Sequence, residues 1–151
     1  MKTLLPLILS LLTAVSTTTS SNFRSPEGNW QLEYALIEGE RSLFEKELFG
    51  LADELCLKSS RWYFRTGSKK DGSIVLAPSP LCSEGQQDFR WKMKKGAKKQ
   101  SQLLLTIGKG KEQKEYLFDL LPNTVEDHLY LQYCRGKEEK GNALILSLRK
   151  E

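Results

Sequence analysis

Apolar and polar residues alternate along much of the chain, beginning at Trp30. In residues 30–36 the apolar side chains fall at positions 30, 32, 34 and 36, with polar Gln31 and Glu33 between them. The cleanest alternation lies in Asp88–Lys94, where Phe, Trp and Met alternate with arginine and lysine. A period of two predicts strands with one buried face. We therefore expect positions 30, 32, 34 and 36 to share the buried face of the first strand.

The other strand-like segments are separated by turns rich in glycine, proline or lysine. They cover residues 61–65, 73–77, 103–107, 116–121, 128–134 and 142–149. One segment differs: in Arg41–Leu55 the apolar residues recur every three or four positions, which predicts a short amphipathic helix. About eight strands with a short helix after the first predict an all-β fold, an antiparallel up-and-down barrel. Eight is the strand number at which a closed sheet encloses side chains or one small ligand.

Residues 1–16 have the features of a signal peptide. Lys2 precedes an apolar run over residues 4–12, and Ala14 and Ser16 are small residues at the positions that a signal peptidase recognises. The run is about half of the roughly 20 residues that span a bilayer, so we expect cleavage after Ser16 and no stable membrane anchor. Residues 17–25 are then a flexible leader and residues 26–151 one domain, which is periplasmic or secreted.

Three cysteines in an exported chain allow one intramolecular disulfide and one remaining thiol. Cys56 and Cys82 stand at the margins of neighbouring strand-like segments, and we expect them to be joined. Cys134 ends a strand-like run. We interpret it as a small buried apolar residue, with a reactive or intermolecular thiol as the alternative.

With these segments placed, the chain resembles the lipocalin-like domain proteins exported by bacteria. Gly28-Asn29-Trp30 is similar to the Gly-X-Trp signature of lipocalins, in which the tryptophan closes one end of the barrel. The aromatic strand Trp62-Tyr63-Phe64, bracketed by Cys56 and Cys82, is similar to an arrangement in this branch. The order of the strands after it also agrees. The resemblance implies a lipocalin-type barrel, with either an open cavity or an interior filled by its own side chains.

Charges of both signs are mixed along the 151 residues, with 23 Lys or Arg and 19 Asp or Glu, a net charge of +4. This composition gives no strong field for nucleic acid, and we expect no such partner. The densest positive segment lies beside Trp91 and contains Lys92, Lys94, Lys95, Lys98 and Lys99. Lysines with an aromatic residue can bind single-stranded nucleic acid. In an exported protein we interpret them as a solvated hairpin tip, with contact to anionic glycans or lipid headgroups as the alternative.

No residue pattern in the sequence specifies a reaction. The single histidine, His128, follows Asp127, but no nucleophile motif accompanies the pair, and adjacent strand residues point to opposite faces. One histidine and separated cysteines give no zinc-ligand spacing. We therefore expect no enzymatic activity, no metal and no cofactor.

Aromatic residues occur in nearly every predicted strand and either line a pocket or pack as core. They are Trp30, Tyr34, Trp62, Phe64, Phe89, Trp91, Tyr116, Phe118, Tyr130 and Tyr133. The leading hypothesis is a monomer that binds a small hydrophobic or amphipathic ligand between Trp62, Phe64, Phe89 and Trp91, with the helix bearing Phe44 and Leu48 over the mouth. The alternative is a filled barrel that acts as a protein-interaction module. An open cavity favours the first, and a solid core with an apolar surface patch favours the second.

Overall fold

A computed structural model describes residues 23–133 and 141–151. The predicted signal peptide at 1–16, most of the leader at 17–25, and Cys134 lie outside the described residues. The signal peptide, the flexible leader and the buried state of Cys134 therefore stay predictions.

Eight antiparallel strands form one closed barrel in which each strand pairs with its neighbours in sequence and the last pairs with the first. The strands are β1 (Gly28–Glu38), β2 (Arg61–Phe64), β3 (Asp71–Val75), β4 (Gln86–Lys95), β5 (Ser101–Ile107), β6 (Lys114–Leu120), β7 (His128–Tyr133) and β8 (Ala143–Lys150). The predicted all-β fold, an eight-stranded up-and-down barrel, is confirmed. This is the architecture that the lipocalin-like resemblance implies.

A short helix does follow β1, but it covers only Glu54–Leu57. The rest of the segment predicted as a helix, Arg41–Leu55, consists of a 3-10 turn at Arg41–Leu43 and irregular chain. Phe49 and Gly50 both have positive φ, 61° and 65°, which a right-handed helix does not allow. The apolar spacing of three and four that predicted the helix arises instead from an irregular segment that packs inward.

The first strand contains a β-bulge, and beyond it the side chains point to the faces opposite to those predicted. The register with β8 shifts between Leu32 and Tyr34, so the alternation of sides changes there. Trp30 and Leu32 are fully buried, whereas Tyr34 is 44% exposed and Leu36 48% exposed. The expectation that Tyr34 and Leu36 share the buried face is therefore wrong, and Ala35 and Ile37 pack against the core in their place.

Trp30 lies at one end of the barrel, which we call the base. Its indole Nε1 donates a hydrogen bond of 2.7 Å to the carbonyl oxygen of Pro26, and Phe23 packs edge-on against its ring. The Nζ of Lys150 lies 5.5 Å from the ring centroid, within reach of a cation–π contact. These contacts confirm that the Trp of the Gly-X-Trp segment is buried, and they place it where β1 begins.

The other end of the barrel, which we call the mouth, carries the long connection from β1 to β2. This connection, residues 39–60, is called the capping loop below. The disulfide Cys56–Cys82 joins it to the connection between β3 and β4, with the two Cα atoms 5.5 Å apart. The predicted cysteine pair is confirmed, and it fixes the second half of the capping loop at the mouth.

Candidate functional site at the barrel mouth

The capping loop folds into the mouth and fills it with apolar side chains. Phe49 is fully buried, and its ring centroid lies 5.0 Å from that of Tyr116 on β6 and 5.3 Å from that of Trp62 on β2. Phe44 and Leu48 are buried nearby. Because aromatic rings at these separations make favourable edge and tilted contacts, Phe49 acts as a plug that joins the loop to the barrel wall.

Local hydrogen bonds hold the capping loop in this shape. The Leu48 amide donates to the Ala52 carbonyl at 2.8 Å, which closes a tight turn around Phe49 and Gly50. The Asp53 side chain accepts a hydrogen bond of 2.9 Å from the Cys56 amide and so caps the short helix. This turn places Phe49 at the positive φ that directs its ring into the barrel.

A cavity of about 130 Å³ remains between the capping loop and the wall. Phe44, Glu45 and Leu48 line it from the loop, and Tyr116, Tyr133 and Leu144 line it from β6, β7 and β8. Five of these six residues present aromatic or aliphatic side chains. The cavity is therefore a largely apolar space at the mouth of the barrel.

One polar cluster borders the cavity and ties the loop to β6. The Glu45 carboxylate accepts a hydrogen bond of 2.7 Å from the Tyr116 hydroxyl and one of 2.9 Å from Lys114 Nζ. Burial, followed by the hydrogen bond to the Glu45 carboxylate and the charge on that carboxylate, raises the pKa of Tyr116 well above its usual range. Tyr116 is therefore a neutral hydrogen-bond donor at physiological pH.

The four aromatic residues predicted as the ligand site lie together inside the barrel, but they fill their part of it. Their rings contact one another in series, with centroids 6.2 Å apart for Trp62 and Phe89, 5.2 Å for Phe64 and Phe89, and 5.9 Å for Phe64 and Trp91. Each is at most slightly exposed. None of the four lines the mouth cavity, whereas Phe44 and Leu48, predicted to cover the mouth, do line it.

The structure adds residues that the sequence pattern did not single out. Glu45 lies in the segment predicted as a helix, and nothing in its neighbourhood in sequence indicates a partner on β6. Leu144 belongs to an ordinary strand, and Phe49 stood beside the helical stripe rather than in it. Of the cavity residues on the barrel wall, the sequence indicated only Tyr116 and Tyr133, as members of the aromatic set that lines a pocket or packs as core.

The remaining candidate chemistry lies on the surface. The His128 ring is 3.3 Å from the Asp127 carboxylate and stacks on Tyr130, with centroids 6.2 Å apart. Within residues 23–133 and 141–151, no group of three His, Cys, Asp or Glu side chains is placed to hold a metal ion. In the same part of the chain, no helix has the length and apolar character needed to cross a membrane.

The fold and site together define an eight-stranded barrel with a buried aromatic cluster and a capped mouth. Comparison of the chain with protein-family models, curated proteins and solved structures finds no match.

Proposed function

We propose that this chain is an exported, non-enzymatic lipocalin-like protein of the bacterial kind, which binds a small hydrophobic or amphipathic molecule in the mouth cavity. The observation that supports it most is the cavity itself, enclosed by Phe44 and Leu48 of the capping loop and by Tyr116, Tyr133 and Leu144 of the wall. Binding sites for small molecules are concave and mainly apolar, with few polar groups. Glu45 and Tyr116 supply such groups at the border of this one.

The cavity volume limits what can bind without rearrangement. An apolar cavity of about 150 Å³ holds one benzene molecule, and this cavity measures about 130 Å³. A single ring or the end of an acyl chain therefore fits the space as it stands. A larger ligand needs more space, and Phe49, which packs between Tyr116 of the cavity wall and Trp62, blocks extension of the cavity in that direction.

The site can be tested with a series of probes of graded size, namely benzene, p-cresol and 1-octanol. A probe that binds only the folded protein raises the melting temperature, by about 2.7 kcal/mol of added stability at a hundredfold excess over its dissociation constant. Leu144→Phe extends a side chain into the cavity and should abolish the shift. Ile145→Phe is the matched control because Ile145, next along β8, points to the outside of the barrel.

Two results would contradict the cavity as the binding site. One is the absence of a shift for all three probes with the unaltered protein. The other is an equal shift in the Leu144→Phe and Ile145→Phe variants, which would place the probes elsewhere.

Export to the periplasm or the exterior is part of the same proposal. The Cys56–Cys82 disulfide supports it, because such bonds form and persist in oxidising compartments. The mature protein recovered from the exporting host should begin at Thr17. A mature protein that retains residues 1–16 would contradict cleavage there.

A protein-interaction module is the second candidate function, and one observation favours it. Because of the bulge in β1, Tyr34 and Leu36 point outward, and Ile145 and Tyr130 neighbour them on β8 and β7. Native mass spectrometry of protein from its own host separates the two candidates, since a bound small molecule and a bound polypeptide differ in added mass. A bound polypeptide that Tyr34→Ser with Leu36→Ser removes would favour the module.

A further inference from the structure

The outer face of β4 carries a row of positive charge that the mouth site does not use. Arg90, Lys92 and Lys94 are exposed and alternate with residues that point inward, so all three project from one face of the strand. Alternate residues of a strand lie about 7 Å apart. The row continues with Lys95, the last residue of β4, and with Lys98 and Lys99 in the turn beyond it, all of them exposed.

Most of this charge has no acidic partner. No ion pair is formed by Lys92, Lys94, Lys98 or Lys99 with any of the residues that the structure describes. Lys95 Nζ donates to the Ser101 hydroxyl, and an Arg90 nitrogen donates to the Gln113 amide oxygen. Both of these bonds are to uncharged groups, which leaves the positive charges uncompensated.

Acidic residues border the row at one end and on both sides. Asp88, exposed on the same face of β4, stands two residues before Arg90 and ends the row there. Across β5, Thr106 pairs with Arg90 and with Glu115, and Gln102 pairs with Lys94 and with Asp119, so the acidic residues stand two strands away on β6. On the other side, Asp71 pairs with Arg90 in the register of β3 and β4, and its carboxylate is 2.9 Å from Arg65. The positive surface therefore runs lengthwise along β4 from Arg90 to the turn beyond Lys95.

From this shape we propose that the row is a binding surface for a linear anionic polysaccharide. A narrow line of evenly spaced cations matches a chain with repeated negative charges, and release of the counterions of such a chain favours its binding to cationic side chains. A flat anionic membrane fits less well, because it would also meet Glu115 and Asp119 on β6.

The structure also favours a polysaccharide over a nucleic acid at this face. Proteins that bind single strands stack bases on exposed aromatic residues. Phe89 and Trp91, the aromatic residues of β4, are buried and point into the barrel. The side chains that neighbour the row on β5 are Thr106, Leu104 and Gln102, which offer no ring for a base.

The test compares two variants of equal net charge. In the row variant, Arg90→Gln, Lys92→Gln and Lys94→Gln remove three charges from β4. In the control variant, Arg24→Gln, Lys46→Gln and Lys58→Gln remove three exposed charges that lie away from it. Binding to polygalacturonate is measured by titration at several NaCl concentrations, and near-ultraviolet circular dichroism checks that both variants fold.

We expect the unaltered protein to bind polygalacturonate with an affinity that falls steeply as salt rises. The row variant should bind at least tenfold more weakly than the control variant. Equal losses of affinity in the two variants would overturn the proposal, because net charge alone would then explain the binding of polygalacturonate.

Two further binding measurements compare polygalacturonate with other anionic ligands. Vesicles with 30% phosphatidylglycerol present a membrane surface, and a single-stranded oligonucleotide presents phosphates with bases. Stronger row-dependent binding to either one than to polygalacturonate would also overturn the proposal. Should the row variant fail to fold, Lys92→Gln alone against Lys46→Gln alone gives the same comparison, with a smaller expected loss of about two- to threefold.

Discussion

Phe49 is the residue through which the capping loop is joined to the barrel, and its truncation is the sharpest test of the mouth structure. The ring is fully buried, with centroids of Tyr116, Trp62 and Phe118 at 5.0, 5.3 and 6.1 Å. Removing it leaves a cavity that the rigid strands around it fill only in part. Phe49→Ala should therefore lower the free energy of unfolding by about 3 to 5 kcal/mol, as buried Phe truncations do.

The backbone at Phe49 adds a second and more specific expectation. Its φ of 61° lies in the left-handed region, which costs a residue with a Cβ atom roughly 1 to 2 kcal/mol. At an ordinary position glycine is less stable than alanine by about 0.5 to 1 kcal/mol. At position 49 the relief of backbone strain offsets this loss, so Phe49→Gly should be as stable as Phe49→Ala, or more stable by up to about 1.5 kcal/mol.

Phe44 is the matched control because it is also buried in the capping loop, while its backbone is extended, with φ of −102° and ψ of 151°. There the ordinary order should hold, with the glycine variant the less stable. Urea unfolding with an unchanged m value measures all four variants. A loss below about 1 kcal/mol for Phe49→Ala, or the same alanine–glycine order at positions 44 and 49, would refute the inserted position of this loop.

Three further perturbations test other parts of the structure. Trp30→Ala should cost about 3 to 5 kcal/mol, since the side chain is fully buried, and a change below about 1 kcal/mol in urea unfolding would contradict its place in the base. Replacing Cys56 and Cys82 by serine should cost about 3.5 kcal/mol on the chain-entropy model for a closed loop of 26 residues. Peptide mapping without reduction should show their cross-link in the parent, and a link to Cys134 would contradict the pairing. Finally, Tyr116 holds its proton more tightly when folded than when unfolded, so its contribution is full below pH 10 and is lost as the pH rises above it. Tyr116→Phe should flatten that loss in unfolding measured from pH 8 to 11, and an unchanged slope would show that Tyr116 is not the group responsible.

The strands could be predicted because the barrel imposes a period of two on the sequence. Asp88–Lys94 illustrates this: Phe89 and Trp91 are buried, and Arg90 and Lys92 are exposed, as their alternation indicates. The same rule fails within β1, because a bulge changes the facing of every residue after it while the composition stays apolar. Tyr34 and Leu36 therefore look like core residues in the sequence and lie on the surface in the fold.

The mouth could not be predicted in the same way because its residues meet through tertiary contacts alone. Glu45 reaches Tyr116 across 71 positions in sequence, and no local pattern encodes that hydrogen bond. The spacing of Phe44, Leu48 and Leu51 fits a helix equally well as an irregular loop whose apolar residues turn inward. The positive φ at Phe49 and Gly50 distinguishes the irregular loop from a helix. In the sequence only Gly50 indicates such a backbone, because glycine adopts positive φ readily.

The outward face of β1 after its bulge and the contacts of the capping loop were not predictable from the sequence. These are the two features that decide between a ligand-binding protein and a protein-interaction module. A barrel whose aromatic residues pack against one another has little interior left for a ligand, so the ligand-binding proposal rests on the space that the capping loop leaves beside Tyr116. The disulfide anchors the loop near its end at Cys56, whereas its first half is held to the wall through Glu45 and the Phe49 ring. If ligands larger than the cavity bind, this first half is the part that must move, and Phe49→Ala should then bind such ligands more tightly than the parent. If the loop serves only to close a filled barrel, the same variant loses stability and gains no ligand, and the outward face of Tyr34 and Leu36 becomes the surface on which to look for function.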